Sequence, residues 1–91
     1  MPARAAAPSL IEYPSAFPIK VMGPNVEGFA DAIAAIATQF DPGLDAATIE
    51  RRLSRGGKYL GLTITITATS RAQLDELYGT LSTHPMVKVV L

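Results

Sequence analysis

The chain has 91 residues, no cysteine, and eight Lys plus Arg balanced by eight Asp plus Glu. That length supports one layer of sheet and one of helix around a single core, and excludes a core with a separate catalytic lobe. Disulfide, thiolate and Cys-based metal chemistry are ruled out, and a net charge of +0 withholds the overall basic excess of most nucleic-acid binders.

Residues 1–9 read as a bland flexible N-terminal tail and residues 10–91 as one domain. Met1 to Ala7 carries one Arg and four Ala but no apolar h-region, so no secretory signal is expected. No apolar run is long enough to span a membrane, which predicts a soluble chain without membrane partners. Pro8, Pro14 and Pro18 punctuate the entry, leaving Leu10, Ile11 and Tyr13 to pack an irregular lead-in. In the first strand Phe17, Ile19 and Val21 share one face and Pro18, Lys20 and Met22 the other, with Gly23-Pro24 as its stop. Asn25 is predicted to cap a helix from Val26 to Phe40, because Val26, Phe29, Ala30, Ile33, Ala37 and Phe40 recur at helical spacing. Asp41-Pro42-Gly43 ends that helix.

Thr48 to Ser54 reads as a weaker strand that places Arg51 on the same face as Ile49 and Leu53, a charge that suits a sheet edge. Gly56-Gly57 supplies a two-residue hairpin loop, since both glycines can take positive φ. Pairing outward from Arg55 opposite Lys58 sets Leu53 against Leu60, Arg51 against Leu62 and Ile49 against Ile64. The third strand, Lys58 to Ala68, is the centre of the chain. Leu60, Leu62, Ile64, Ile66 and Ala68 face a core, while Tyr59, Gly61, Thr63, Thr65 and Thr67 line a bare face. Ser70 with Gln73 makes a capping-box signal for a second helix whose apolar stripe is Leu74, Leu77, Tyr78 and Leu81. Thr83-His84-Pro85 ends it. The last strand spans Met86 to Leu91, with Met86, Lys88 and Val90 expected on the outer face and Val87, Val89 and Leu91 against the core.

Strand, helix, strand, strand, helix, strand is the order of an α+β, ferredoxin-like βαββαβ plait. Right-handed crossovers give a four-stranded antiparallel sheet of order 4-1-3-2 with both helices on one face.

Glu12-Tyr13-Pro14, Phe17-Pro18-Ile19-Lys20-Val21-Met22-Gly23, Gly57-Lys58-Tyr59, the run Leu62 to Thr69 and the terminal Val89-Val90-Leu91 resemble the YbeD-like family of small bacterial proteins of unknown function. The resemblance covers about residues 10–91, and Phe-x-x-Lys-Val-Met-Gly is its most specific part. It implies a cytoplasmic protein with a ferredoxin-like fold, similar to ACT-like regulatory domains that bind small effectors such as amino acids, and it supplies no established activity. The Ala-rich start and the Arg51-Arg52 pair depart from the family pattern.

Two regions are candidate sites. The turn carrying Met22, Gly23 and Asn25 leads into a helix N-terminus, where free amides and the dipole favour a carboxylate or phosphate; the plain alternative is a turn and a cap. Lys20, Arg51, Arg52, Arg55, Lys58 and Lys88 form a candidate surface for an anion or a protein partner; the plain alternative is a solvated, charge-protected edge. Lys20 and Lys88 are expected side by side on the outer face, and the edge strand from Met86 to Leu91 could pair with its twin in a homodimer. RNA recognition is disfavoured, because Tyr59 would be the one stacking ring on the outer face. Catalysis is not expected: His84 serves a turn at a helix end, Asp75 and Glu76 diverge, Glu27 and Asp31 share a solvated face, and no metal or cofactor cluster is present. The resulting expectation is a non-catalytic regulatory module for a small anionic metabolite or a partner enzyme. An interaction adaptor using the outer sheet face and basic hairpin is the alternative.

Overall fold

The computed structural model describes residues 12–91, so the predicted tail, Leu10 and Ile11 lie outside the described residues. The chain runs β1 (Ser15–Pro24), α1 (Phe29–Phe40), a 3-10 turn (Ala46–Thr48), β2 (Glu50–Leu53), β3 (Tyr59–Ala68), α2 (Arg71–Ser82) and β4 (Val89–Val90). The strands form one antiparallel sheet of order β2-β3-β1-β4, the plait the element order predicts. The two long strands pair along their whole length, from Ser15 opposite Ala68 to Pro24 opposite Tyr59.

The period-two pattern of β3 buries Leu60, Leu62, Ile64, Ile66 and Ala68 beside Ile19 and Val21 of β1. Phe29, Ile33 and Ala37 of α1 and Leu74, Leu77 and Leu81 of α2 complete the same core. Both helices therefore cover one face, and among the described residues the other face of the sheet is bare. No helix among the described residues is long and apolar enough to cross a membrane.

The β2–β3 register is the predicted one, with Leu53 opposite Leu60 and Arg51 opposite Leu62. Its tip opens one pair earlier than expected. The Ser54 amide donates to the Tyr59 carbonyl at 2.9 Å and the Tyr59 amide to Ser54 Oγ at 2.9 Å, so the loop is Arg55–Lys58. At this end one residue is lost from each strand, which leaves the register unchanged. Gly56 and Gly57 take φ of +86° and +75°.

Three further boundaries differ from the sequence reading. β2 begins at Glu50 instead of Thr48, because Ala46–Thr48 wind into the 3-10 turn, and the expected Ile49–Ile64 pair is not part of the ladder. β1 continues through Pro24 instead of stopping at Gly23-Pro24. Lys20 bonds with both its amide and its carbonyl to Leu91, so alternation points the Pro24 nitrogen to the same side, past the end of β4, where no donor is needed. Asn25 does not cap α1. Its amide donates to the Lys58 carbonyl at 3.0 Å and its side chain to the Gly57 carbonyl at 2.9 Å, which ties it to the hairpin. The helix starts later, with Gly28 at the cap position in the left-handed region at φ 91°.

The capping signal at α2 holds: Ser70 Oγ accepts from the Gln73 amide at 3.0 Å. The Gln73 side chain reaches farther than the capping box requires. Its Oε1 accepts from the Thr69 amide at 2.6 Å, and its Nε2 donates to the carbonyls of Phe40 at 2.9 Å and Thr67 at 3.2 Å. One amide thus joins the end of α1, the end of β3 and the start of α2.

Candidate functional site

Cross-strand alignment sorts the bare face into rows. One row runs Arg52, Gly61, Met22 and Val89 across β2, β3, β1 and β4. The next holds Glu50, Thr63 and Lys20, with Leu91 bonded to Lys20 at 3.0 and 2.8 Å. On the hairpin side of the first row, Tyr59 stands opposite Pro24. Because Gly61 brings no side chain to the middle of this pattern, the face sinks there into a trough of about 560 Å³.

Three of the apolar side chains that folding leaves outside face the trough. Met22, Val89 and Leu91 are 41, 44 and 71 % exposed on this side; Leu53, 57 % exposed, borders the trough at the β2 edge but stands opposite core residue Leu60 and so belongs to the other face, and Val26 is the one other large apolar side chain exposed among the described residues. Lys20 and Arg52 stand on its rim, and among the described residues neither has a carboxylate within 4.0 Å. The one ion pair among the described residues, Arg71 with Asp75 at 3.8 Å, lies on α2. Lys58 Nζ sits 5.6 Å from the centre of the Tyr59 ring, in cation–π range. Apolar contact inside and positive charge at the rim suit a group that is itself apolar with anionic flanks.

The predicted site residues do not converge on one place. Met22 joins the trough. Gly23 turns to the other side of the sheet, where a Cβ would meet the Met86 carbonyl and the Phe29 ring at 2.5 Å. Asn25 is occupied with the hairpin, and the neighbouring Val26 amide donates to Pro24 at 2.9 Å. A recess of about 400 Å³ near the start of α1 is lined by Arg51 but also by Glu27 and Asp31, a mixed-charge lining.

The basic residues divide as well. Lys20 and Arg52 share the bare face, Arg51 stands opposite the core residue Leu62, and Arg55 and Lys58 sit in the hairpin loop. The expected Lys20–Lys88 pair is not formed. The cross-strand neighbour of Lys20 is Leu91, whereas the Lys88 amide donates to the Met22 carbonyl at 2.8 Å.

β4 is also shorter than Met86–Leu91, and its faces are exchanged. Val90 lies opposite buried Val21 and is half-buried, and Val89 lies beside exposed Met22. A shift of one residue in register moves every side chain of a strand to the other face. The start of the expected strand is a turn instead: His84 Nδ1 accepts from the Met86 amide at 3.1 Å and its carbonyl from the Val87 amide at 3.0 Å. Among the described residues no three His, Asp or Glu side chains gather into a metal-sized cluster.

Gly61, Val89 and Leu91 are the site residues that sequence reasoning missed. Gly61 did carry a signal, since a glycine inside a run of β-forming residues marks close approach of another group.

The family model described as "Protein of unknown function (DUF493)" matches residues 8–91. A UPF0250 protein of Leptothrix cholodnii is 66% identical over 83 residues, covering 91% of each chain. One from Bordetella pertussis is 60% identical over 83 residues, again covering 91% of each. One from Ralstonia nicotianae is 57% identical over 90 residues, covering 99% of this chain and 93% of the relative. In keeping with the YbeD-like resemblance, the chain belongs to the DUF493/UPF0250 family of small bacterial proteins of unknown function.

Proposed function

We propose that this protein is a non-catalytic, cytoplasmic binding module that holds an anionic, partly apolar partner on the bare face of its sheet. One observation carries the reading: exposed apolar side chains and two cations without carboxylate partners collect in a single trough. Scattered exposed apolar residues need no explanation, but three facing one depression do. Of the two expectations drawn from the sequence, this favours the interaction adaptor. A small effector held by the strand-to-helix turn has less support, because the Asn25 and Val26 amides already have backbone partners. The regulatory sense of the module comes from the ACT-like side of the resemblance.

Amide chemical-shift mapping of labelled protein titrated with fatty acids, keto acids, amino acids and acidic peptides tests it. Perturbations are expected to cluster on Lys20, Met22, Arg52, Gly61 and Val89. Perturbations confined to Gly23 through Asp31 would return the role to the small-effector site. No perturbation with any of these ligands would defeat the proposal.

A further inference from the structure

We infer that the trough receives an acidic amphipathic helix of a protein partner, seated with an apolar side chain on the backbone of Gly61; this rests on the bare-face reading above. The fold itself does not call for a glycine at position 61. Its φ lies outside the positive region, and a Cβ there would meet nothing closer than the Arg52 carbonyl at 3.6 Å, an ordinary contact. A glycine in the middle of a ten-residue central strand forgoes packing and β-propensity. What it leaves is an open seat between Arg52 and Met22.

The seat takes one bulky side chain. Strands lie about 4.8 Å apart, so Arg52 and Met22 flank Gly61 at roughly 10 Å from backbone to backbone, and the gap between their side chains suits a single apolar knob of a partner. The chemistry of the face favours a helix over an extended segment. Backbone groups of β1 and β3 are engaged in the plane of the sheet, so an extended chain laid on this face would leave its own amides and carbonyls unpartnered against apolar side chains. A helix satisfies its backbone internally. Charge argues for an acidic partner over a second copy. Lys20 and Arg52 outnumber Glu50 on this face, and a face-to-face copy would set the same cations against one another.

Selection of phage-displayed helical peptides of about 20 residues, one face randomised, against the full chain tests this. Counter-selection uses Gly61→Val, whose thermal melt shows whether it folds, and Lys20→Glu with Arg52→Glu serves as an independent variant. Expected are amphipathic sequences with Glu or Asp flanking a bulky apolar residue, losing at least about tenfold in affinity for either variant. Enrichment of basic or proline-rich extended sequences, undiminished binding to a folded Gly61→Val, or no enrichment would overturn the helical partner. Should small acids still shift the Gly61 and Arg52 amides in that event, the bare-face reading stands and only the occupant is wrong. A dimer seen by sedimentation and dissociated by Gly61→Val would assign the trough to a second copy and overturn the inference.

Discussion

Gly23 and Gly61 sit one pair apart on the β1–β3 ladder, opposite Leu60 and Met22 respectively, and face opposite sides of the sheet. On the helix side, Gly23 is squeezed between the Phe29 ring and the Met86 carbonyl, so the core dictates a residue without a Cβ. On the bare side, Gly61 has open space above it and no conformational need to be glycine. The same residue type answers a packing demand in one place and leaves a seat unfilled in the other. Chemistry that recognises another molecule is therefore better sought around Gly61, whereas Gly23 is explained by the fold.

Substitution at the two glycines separates them most sharply. Gly23→Val should cost about 3 kcal/mol, since both neighbours of the new Cβ are hemmed in, one of them backbone. Its melting temperature should fall by about 12 °C or more. A variant that melts like the parent would remove the packing explanation and reopen Gly23 as a functional glycine.

Gln73→Ala comes next. It removes one acceptor and two donor contacts that lock the helix layer to β3, and leaves the carbonyls of Phe40 and Thr67 without this partner. A loss of about 2 kcal/mol is expected in denaturant melts, with the trough unchanged. If amide shifts around Gly61 moved as well, the two faces would not be independent.

Gly61→Val should do the reverse of Gly23→Val, adding about 1 kcal/mol through β-propensity and raising the melting temperature by roughly 4–8 °C. A destabilised variant would mean that the fold needs this glycine after all. The smallest effect belongs to Lys20→Glu and Arg52→Glu, which should change stability by no more than about 0.5 kcal/mol each. A larger loss on unfolding would show that the rim cations support the sheet, not a partner.

Much of the helix side was legible in the sequence. The apolar alternation from Leu60 to Ala68, the stripe through Phe29, Ile33 and Ala37, the Ser70 cap and the β2–β3 register are all carried by residues close together in the chain or by a single short turn. Local geometry and period are enough to state them. Asn25 shows where that ends. Its composition suits a helix cap, but the hairpin 32 residues away takes its side chain, and a local rule cannot anticipate a distant competitor.

The bare face was harder to read for the same reason. Lys20, Met22, Gly61 and Arg52 were visible as outward residues of separate strands, yet their meeting in one row depends on three registers at once. β4 decides the rest: a one-residue difference in pairing turned Val89 and Leu91 outward and separated Lys20 from Lys88. The sequence by itself determined the order of the strands and helices and the core residues of β1, α1, β3 and α2, because burial imposes a period that each of these elements carries alone. Tertiary structure alone decided which glycine is compressed and which is open, because that depends on what the rest of the chain brings to within a few ångströms of each.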